Sequence, residues 1–368
     1  MSNQAQAQAQ ALAQSPAPAP RFAANALEQF ASTLLHKAGL DRLAAEVTAH
    51  TLVEGDLLGH DTHGLALLAP YVKEIENGGM RRSGTPEVLN DRGASLLWDG
   101  KRLAGPWLVC SGIDALIPRA RQYGSATLVI KRSHHIACLA AYLLRATDAG
   151  FVLLLACSDP ASESVAPHGG TKAVVTPNPI AAGIPTSGTP FLIDVSASIT
   201  TNGMSNRLRA AGQQFDHDCL LDAAGNPSRD PAVLFEKPVG SILPLGGLTS
   251  GHKGFGMALM IEALTGGLAG HGRADSREGW GATVYMTLHD PEAFGGMSDF
   301  QRQMDHLGNI SRSNPPRSGV AAVRMPGDRG LVLKTKQLKE GVTLFPTIAP
   351  MLMECGQRYG VVFPVAID

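Results

Sequence analysis

What this chain lacks narrows its chemistry first. Its 31 basic and 32 acidic side chains leave a formal net charge of -1 over 368 residues, so no long-range field gathers nucleic acid or an anionic membrane. Neither is expected as a partner. The five cysteines, Cys110, Cys138, Cys157, Cys219 and Cys355, form no C-x-x-C pair, which argues against a structural zinc or redox site and for reduced thiols in the cytoplasm. No metal is expected. The most apolar run, "FVLLLAC" at 151–157, falls far short of the ~20 residues that a membrane span requires and reads as a buried strand. Residues 1–20 have neither the basic residues nor the continuous apolar stretch of a targeting signal, and they read as a disordered tail. No strand leads into G-x-G-x-x-G, and "GLTSGHKG" (247–254) lacks the spacing and the hydroxyl residue of a P-loop. A standard Rossmann site is therefore disfavoured.

What is present is enough apolar sequence, 44%, to bury a large core. From Phe22 to Gly39 the spacing of Phe22, Ala26, Leu27, Phe30, Leu34 and Leu35 predicts a helix. Asp41 is placed to cap a second one, and the helical pattern runs on to the glycines near residue 79. Strand-like "SLLWDG", "ATLVIK" and "FVLLLAC" then alternate with helices near 106–123 and 138–149. Later strand-like runs, "AVVTPNPIAAGI", "PFLIDVSA" and "TVYMTLHD", are separated by fewer helices, so the expected fold is α/β with a mixed central sheet, non-Rossmann, behind an N-terminal helical layer. The expected division is a helical, substrate-side domain of residues 21–100 and 315–368 and a mixed-sheet, cofactor-binding domain of 101–314. The end, "VVFPVAID", reads as a closing strand or an extended arm.

The polar residues come in islands. "GHDTHGLALLAPY" (59–71) sets His60 and His63 beside an acid, and by itself fits a metal site, a catalytic histidine or an ordinary helix. "KRSHHI" (131–136) follows a strand, so His134 and His135 fall at a carboxyl end, where α/β proteins bind ligands. Asp194 lies in an apolar strand, and burying its carboxylate is costly unless an imidazole or other donor meets it. A histidine near its ordinary pKa, steadied by a carboxylate, is the equipment of a general acid. Lys253, in "GHKGFG", is expected ahead of a helix as an anion site, with the bland alternative that Gly251, Gly254 and Gly256 only turn and pack. A metal site on His60, His63, His134 and His135 is weaker, because the spacing is permissive and no H-E-x-x-H occurs.

Taken in order, "GHDTHG", "SHHI", "APHGG…PNPIAAGIP", "IDVSAS", "LPLGG…GHKGFGMALMIEALTGGLAG" and "PG" resemble the malate/L-lactate dehydrogenase family of the non-Rossmann type, over about residues 22–360. The resemblance implies hydride transfer between NAD or NADP and a 2-oxo acid or 2-hydroxy acid, or a cyclic imino acid, in a cytoplasmic homodimer. His63 then falls on the family's proton donor, oriented by Thr62 and Asp194, and His135 falls on a second acid–base histidine. Ser133, His135, Asp194, Val195, Lys253, Pro326 and Gly327 fall on cofactor-lining positions, and His63, His135 and Asn178 on substrate-side positions. The chain departs from the pattern at Leu67, where many members carry arginine, at His134 in place of asparagine, and at Pro177 in place of threonine. Another cation, Lys131, Arg132 or Lys253, is expected to replace the missing arginine. The competing readings are an imino-acid reductase of the same family, a metal-dependent hydrolase and a non-catalytic scaffold.

Overall fold

The computed structural model describes residues 19–367, so the expectation for residues 1–20 lies almost wholly outside them. Helices α1 (Ala24–Lys37) and α2 (Arg42–Leu57) lie side by side, joined by a tight turn in which the Asp41 carboxylate accepts from Leu43 N–H. Helix α1 buries Leu27, Phe30, Leu34 and Leu35 on one stripe. Helix α2 is buried nearly all round, because α1, α4 (Gly105–Tyr123) and α9 (Asp328–Glu340) surround it; even Glu54 is enclosed, paired at 2.6 Å with Lys334. The loop 58–64 that follows is anchored by buried Leu58 and Gly64, with Gly59 exposed and residues 60–63 half-buried, before α3 (Leu68–Glu76) begins. Helix α10 (Ile348–Tyr359) adds Ile348, Leu352 and Cys355 to the same core.

Seven strands form the main sheet: β1 (Glu87–Asp91), β2 (Ser95–Asp99), β3 (Ser125–Ser133), β4 (Val152–Ser158), β5 (Pro179–Ile184), β6 (Phe191–Ser196) and β7 (Ala282–His289). The spatial order is β1-β2-β3-β7-β4-β5-β6. Only the β2/β3 pair is parallel, and α4 makes its crossover; every other pair is antiparallel. The sheet is thus mixed, as the punctuated strand runs predict. Helices cover both faces, and residue alternation separates the two cores. Val284, Met286 and Leu288 of β7 pack towards α4 and α5 (Leu143–Thr147), whereas Tyr285 packs with Ala258 and Ile261 of α7 (Gly247–Glu262).

The run around Lys253 departs from expectation. Helix α7 already begins at Gly247, so Lys253 sits within it rather than ahead of it. The glycines permit this: a Cβ on Gly254 would lie 2.3 Å from Leu245 N and 2.7 Å from Ala197 O, and one on Gly251 would lie 2.9 Å from His168 Nδ1. They are a packing face. The final residues form an extended arm, with Phe363 edge-on to Phe22 and Phe30 and a single bridge between Ile367 and Arg21. Helices α6 (Asn202–Ala210) and α8 (Met297–Arg312) complete the set used below.

Candidate active site

The loop after α2 is folded back on its own helix. His60 N–H donates to Gly55 O, His63 N–H to His60 O, and Leu65 N–H to Asp56 Oδ2 at 2.7 Å. Gly64 permits the return, since a Cβ there would lie 2.4 Å from the Asp56 carboxyl carbon. Burial pushes Asp56 up to about 8, against its hydrogen bond to Leu65, and its Oδ1 has no partner among the described residues.

His63 ends this loop half-buried, with Nδ1 2.9 Å from Thr62 Oγ1. Burial lowers its pKa; the Asp194 charge opposes that, and His60 and Arg207 add to it. The strand-end histidines lie alongside. The His135 ring stacks 6.0 Å from His63, at 28°, and 4.7 Å from Trp280 on its way into β7. Ala137 N–H donates to His135 Nδ1, the Tyr71 hydroxyl stands 2.8 Å from the same atom, and Tyr71 also reaches the His135 carbonyl. Accepting at Nδ1 places the ring proton on Nε2, and burial holds the pKa well below the ordinary value. His135 is built as a neutral donor. His134 is sealed, with Nε2 3.2 Å from Glu74 and its pKa lowered by burial. Tyr71 and Glu74, spaced by three on α3, thus serve the two adjacent histidines.

Asp194 comes from the β6 edge. Its Oδ2 accepts from Ala140 N–H at 2.9 Å and faces Cys138 Sγ at 3.7 Å, so its charge reaches His63 while Thr62 makes the hydrogen bond. Among the described residues no hydrogen bond joins Asp194 to His63; the carboxylate acts on the ring through its charge alone. A cleft of about 680 Å³ opens on the Asp194 side, lined by Asp56, His60, Asp61, Asp194, Val195, Pro326 and Gly327, with Arg329 and Lys336 on its α9 wall. His63, His135 and Arg207 lie behind this lining: His63 is close to His60 and Asp61 in the chain, Arg207 is paired with Asp61, and His135 stacks on His63. The remaining candidates lie elsewhere. Ser133 donates to the His134 carbonyl, Asn178 is buried with its amide spent on Ala258 O and Glu262, and Lys253 is exposed on α7 and not among the residues lining the cleft. Arg132 is paired with Asp99, and Lys131 also acts on Asp99.

The four histidines do not gather as ligands among the described residues; His63 is engaged by Thr62, His134 by Glu74 and His135 by Tyr71. Among the described residues, His60, Cys138 and Asp194 are the set whose ligand atoms lie within 4.8 Å of one another. Burial and Asp194 hold the Cys138 thiol well above its ordinary range, so any ion there must first expel that proton. Sequence reasoning passed over Asp56, Tyr71, Cys138, Arg207 and Trp280 as site residues. Tyr71 alone had a readable signal, its helical spacing with Glu74.

The sequence profile of malate/L-lactate dehydrogenase matches residues 22–352. The chain belongs to that family. It is an oxidoreductase of the malate/L-lactate dehydrogenase group, and its mixed sheet is that of the group's solved structures. The chain is 28% identical to the L-lactate dehydrogenase of Cupriavidus necator over 94% of its own length and 100% of the relative's. It is also 28% identical to the delta(1)-pyrroline-2-carboxylate reductase of Ancylobacter novellus, over 87% of this chain and 93% of that one. The crystal structure of malate dehydrogenase from Entamoeba histolytica superposes with a TM-score of 0.89 at 23% identity, covering 95% of this chain and all (100%) of that one, which establishes the shared fold. Among the described residues no helix is long and apolar enough to cross a membrane.

Proposed function

We propose that this protein interconverts a 2-oxo acid and the corresponding L-2-hydroxy acid with NAD or NADP, and that His63 moves the proton. The observation that carries the reading is the state of the His63 ring: Nδ1 is engaged by Thr62, while Nε2 has no protein partner among the described residues. With Nδ1–H donating to Thr62, Nε2 is bare in the neutral ring and carries a transferable proton in the charged one. His63 therefore takes the hydroxyl proton during oxidation and returns it to the carbonyl oxygen during reduction. Asp194 favours the charged ring, and the His135 Nε2–H is a neutral donor suited to polarising a substrate oxygen.

The residues of the cleft fit a dinucleotide. Its volume, about 680 Å³, is in the range of cofactor sites; Arg329, Lys336 and the start of α9 offer charge and N–H groups for phosphates, and Val195 offers an exposed apolar wall. The nicotinamide, when bound, supplies or accepts the hydride. We place the enzyme in the cytoplasm as a homodimer. Exposed Leu248, Leu259 and Met260 on α7 are available to a second copy.

The test is a fluorescence titration with NADH and NADPH followed by a panel of 2-oxo acids. Binding of neither nucleotide would refute the reading. The pyrroline-2-carboxylate reductase relative supports a second substrate class, since the same proton donor serves C=N; faster turnover of cyclic imino acids than of any 2-oxo acid would select it.

A further inference from the structure

The cation whose field reaches His63 is Arg207, on α6. Gly203, one helical turn earlier, abuts the histidine loop: a Cβ added there would lie 3.3 Å from Thr62 Cβ and 3.7 Å from His63 Cε1. The Arg207 side chain is only 17% exposed. Its Nη1 donates to Asp61 Oδ1 at 2.8 Å, and its flat face lies 4.1 Å over the Phe345 ring. The pair with Asp61 and the stack on Phe345 fix the plane of the guanidinium. Yet among the described residues Nε and Nη2 meet no acceptor. Neither nitrogen is among the fully buried atoms left unpartnered, so both keep access to solvent and can donate to an incoming acceptor.

The other cations do not compete for this position. Leu67 is apolar and packs on the helical core, Arg132 is committed to Asp99, and Arg329 and Lys336 stand on the α9 wall. Asp61, which lines the cleft, ties Arg207 to it.

We propose that Arg207 anchors the substrate carboxylate, its free guanidinium edge holding the C1 carboxylate of the 2-oxo acid whose carbonyl oxygen receives the His63 proton. This rests on the oxidoreductase reading above. A planar fork held in place by a neighbouring acid suits a carboxylate in two-point contact, and it would orient the adjacent carbonyl.

Pyruvate and its neutral amide, pyruvamide, are the probes, used with the full chain. Arg207→Met is expected to raise KM for pyruvate about ten- to a hundredfold, to leave NADH binding unchanged and to alter pyruvamide reduction little. Arg207→Lys should recover part of the loss, and guanidinium ion added to Arg207→Ala should lower KM again, which no merely structural role would produce. Equal losses for pyruvate and pyruvamide, or an unchanged KM for pyruvate, would overturn the assignment. If the wild type reduces no 2-oxo acid, the 2-oxo acid reading fails and the anchor is judged by calorimetry alone. Pyruvate binding to the wild type that weakens at least tenfold in Arg207→Met supports the site. Equal binding, or none, removes it.

Discussion

Around Asn178, below the start of β5, the donors converge on one carboxylate oxygen within the protein. Thr176 Oγ1 donates to Asn178 Oδ1, and Asn178 Nδ2, Ser158 Oγ and Arg273 Nε all donate to Glu262 Oε1. Arg273 spends its remaining groups on Ser158 and on the carbonyls of Ser162 and Asp159. Around His63 the balance differs. His63 Nε2, Arg207 Nε and Nη2, and Asp56 Oδ1 have no partner among the described residues. Similar side chains are used for opposite ends. A completed network rigidifies, whereas one with capacity left over is ready for a ligand, and spare hydrogen bonding separates a site from a strut better than residue type does.

The sharpest way to break this contrast is to cut each region in turn. His63→Ala should lower kcat by about a thousandfold, the scale of a lost general acid, while NADH fluorescence still reports binding and the thermal midpoint holds. A variant that turns over normally would put the proton on another group and return the His63 region to structure. Glu262→Gln should do the reverse. It leaves the Arg273 guanidinium, 20% exposed, without its charge partner, and denaturant unfolding should show a loss of about 2 to 3 kcal/mol with turnover retained in the folded fraction. Unchanged stability with lost turnover would make the closed network part of the site.

The contrast also explains what could be read from the chain. The helical front was legible because α1 carries a clean apolar stripe with Asp41 at the next cap, and the mixed sheet was legible from strand runs broken by Pro and Gly. The insertion of β7 between β3 and β4 was not, since nothing local specifies a partner more than a hundred residues away. Lys253 misled for a physical reason: glycines at 251 and 254 lower helix propensity, but close approach to Pro244, Leu245 and Ala197 overrides it. His63, Asp194 and His135 were singled out from their polar islands and from the ordered motifs, and the fold sets His63 and His135 ring to ring. Arg207 was invisible, because "MSNRLRAAG" carries no pattern and its meaning comes only from α6 lying against the Thr62–His63 loop.

Asp56 offers the finest measure of the boundary between the two regions, because it lines the cleft yet is enclosed like a strut. Its folded pKa, about 8, exceeds the model-peptide value of 3.8, so the folded state keeps a proton that the unfolded chain has released. The stability linked to that proton is complete below the unfolded value and is lost as pH rises through the folded one. Asp56→Asn keeps an oxygen for Leu65 N–H and has nothing to titrate. Between pH 5 and 8 the wild-type thermal midpoint should therefore fall relative to the variant by up to about 2 °C per pH unit, from roughly 1.4 kcal/mol per unit in a chain of this size. Since every other group is common to both proteins, the difference isolates this carboxyl. Parallel curves would mean that Asp56 is solvated through the cleft and belongs wholly to the open region.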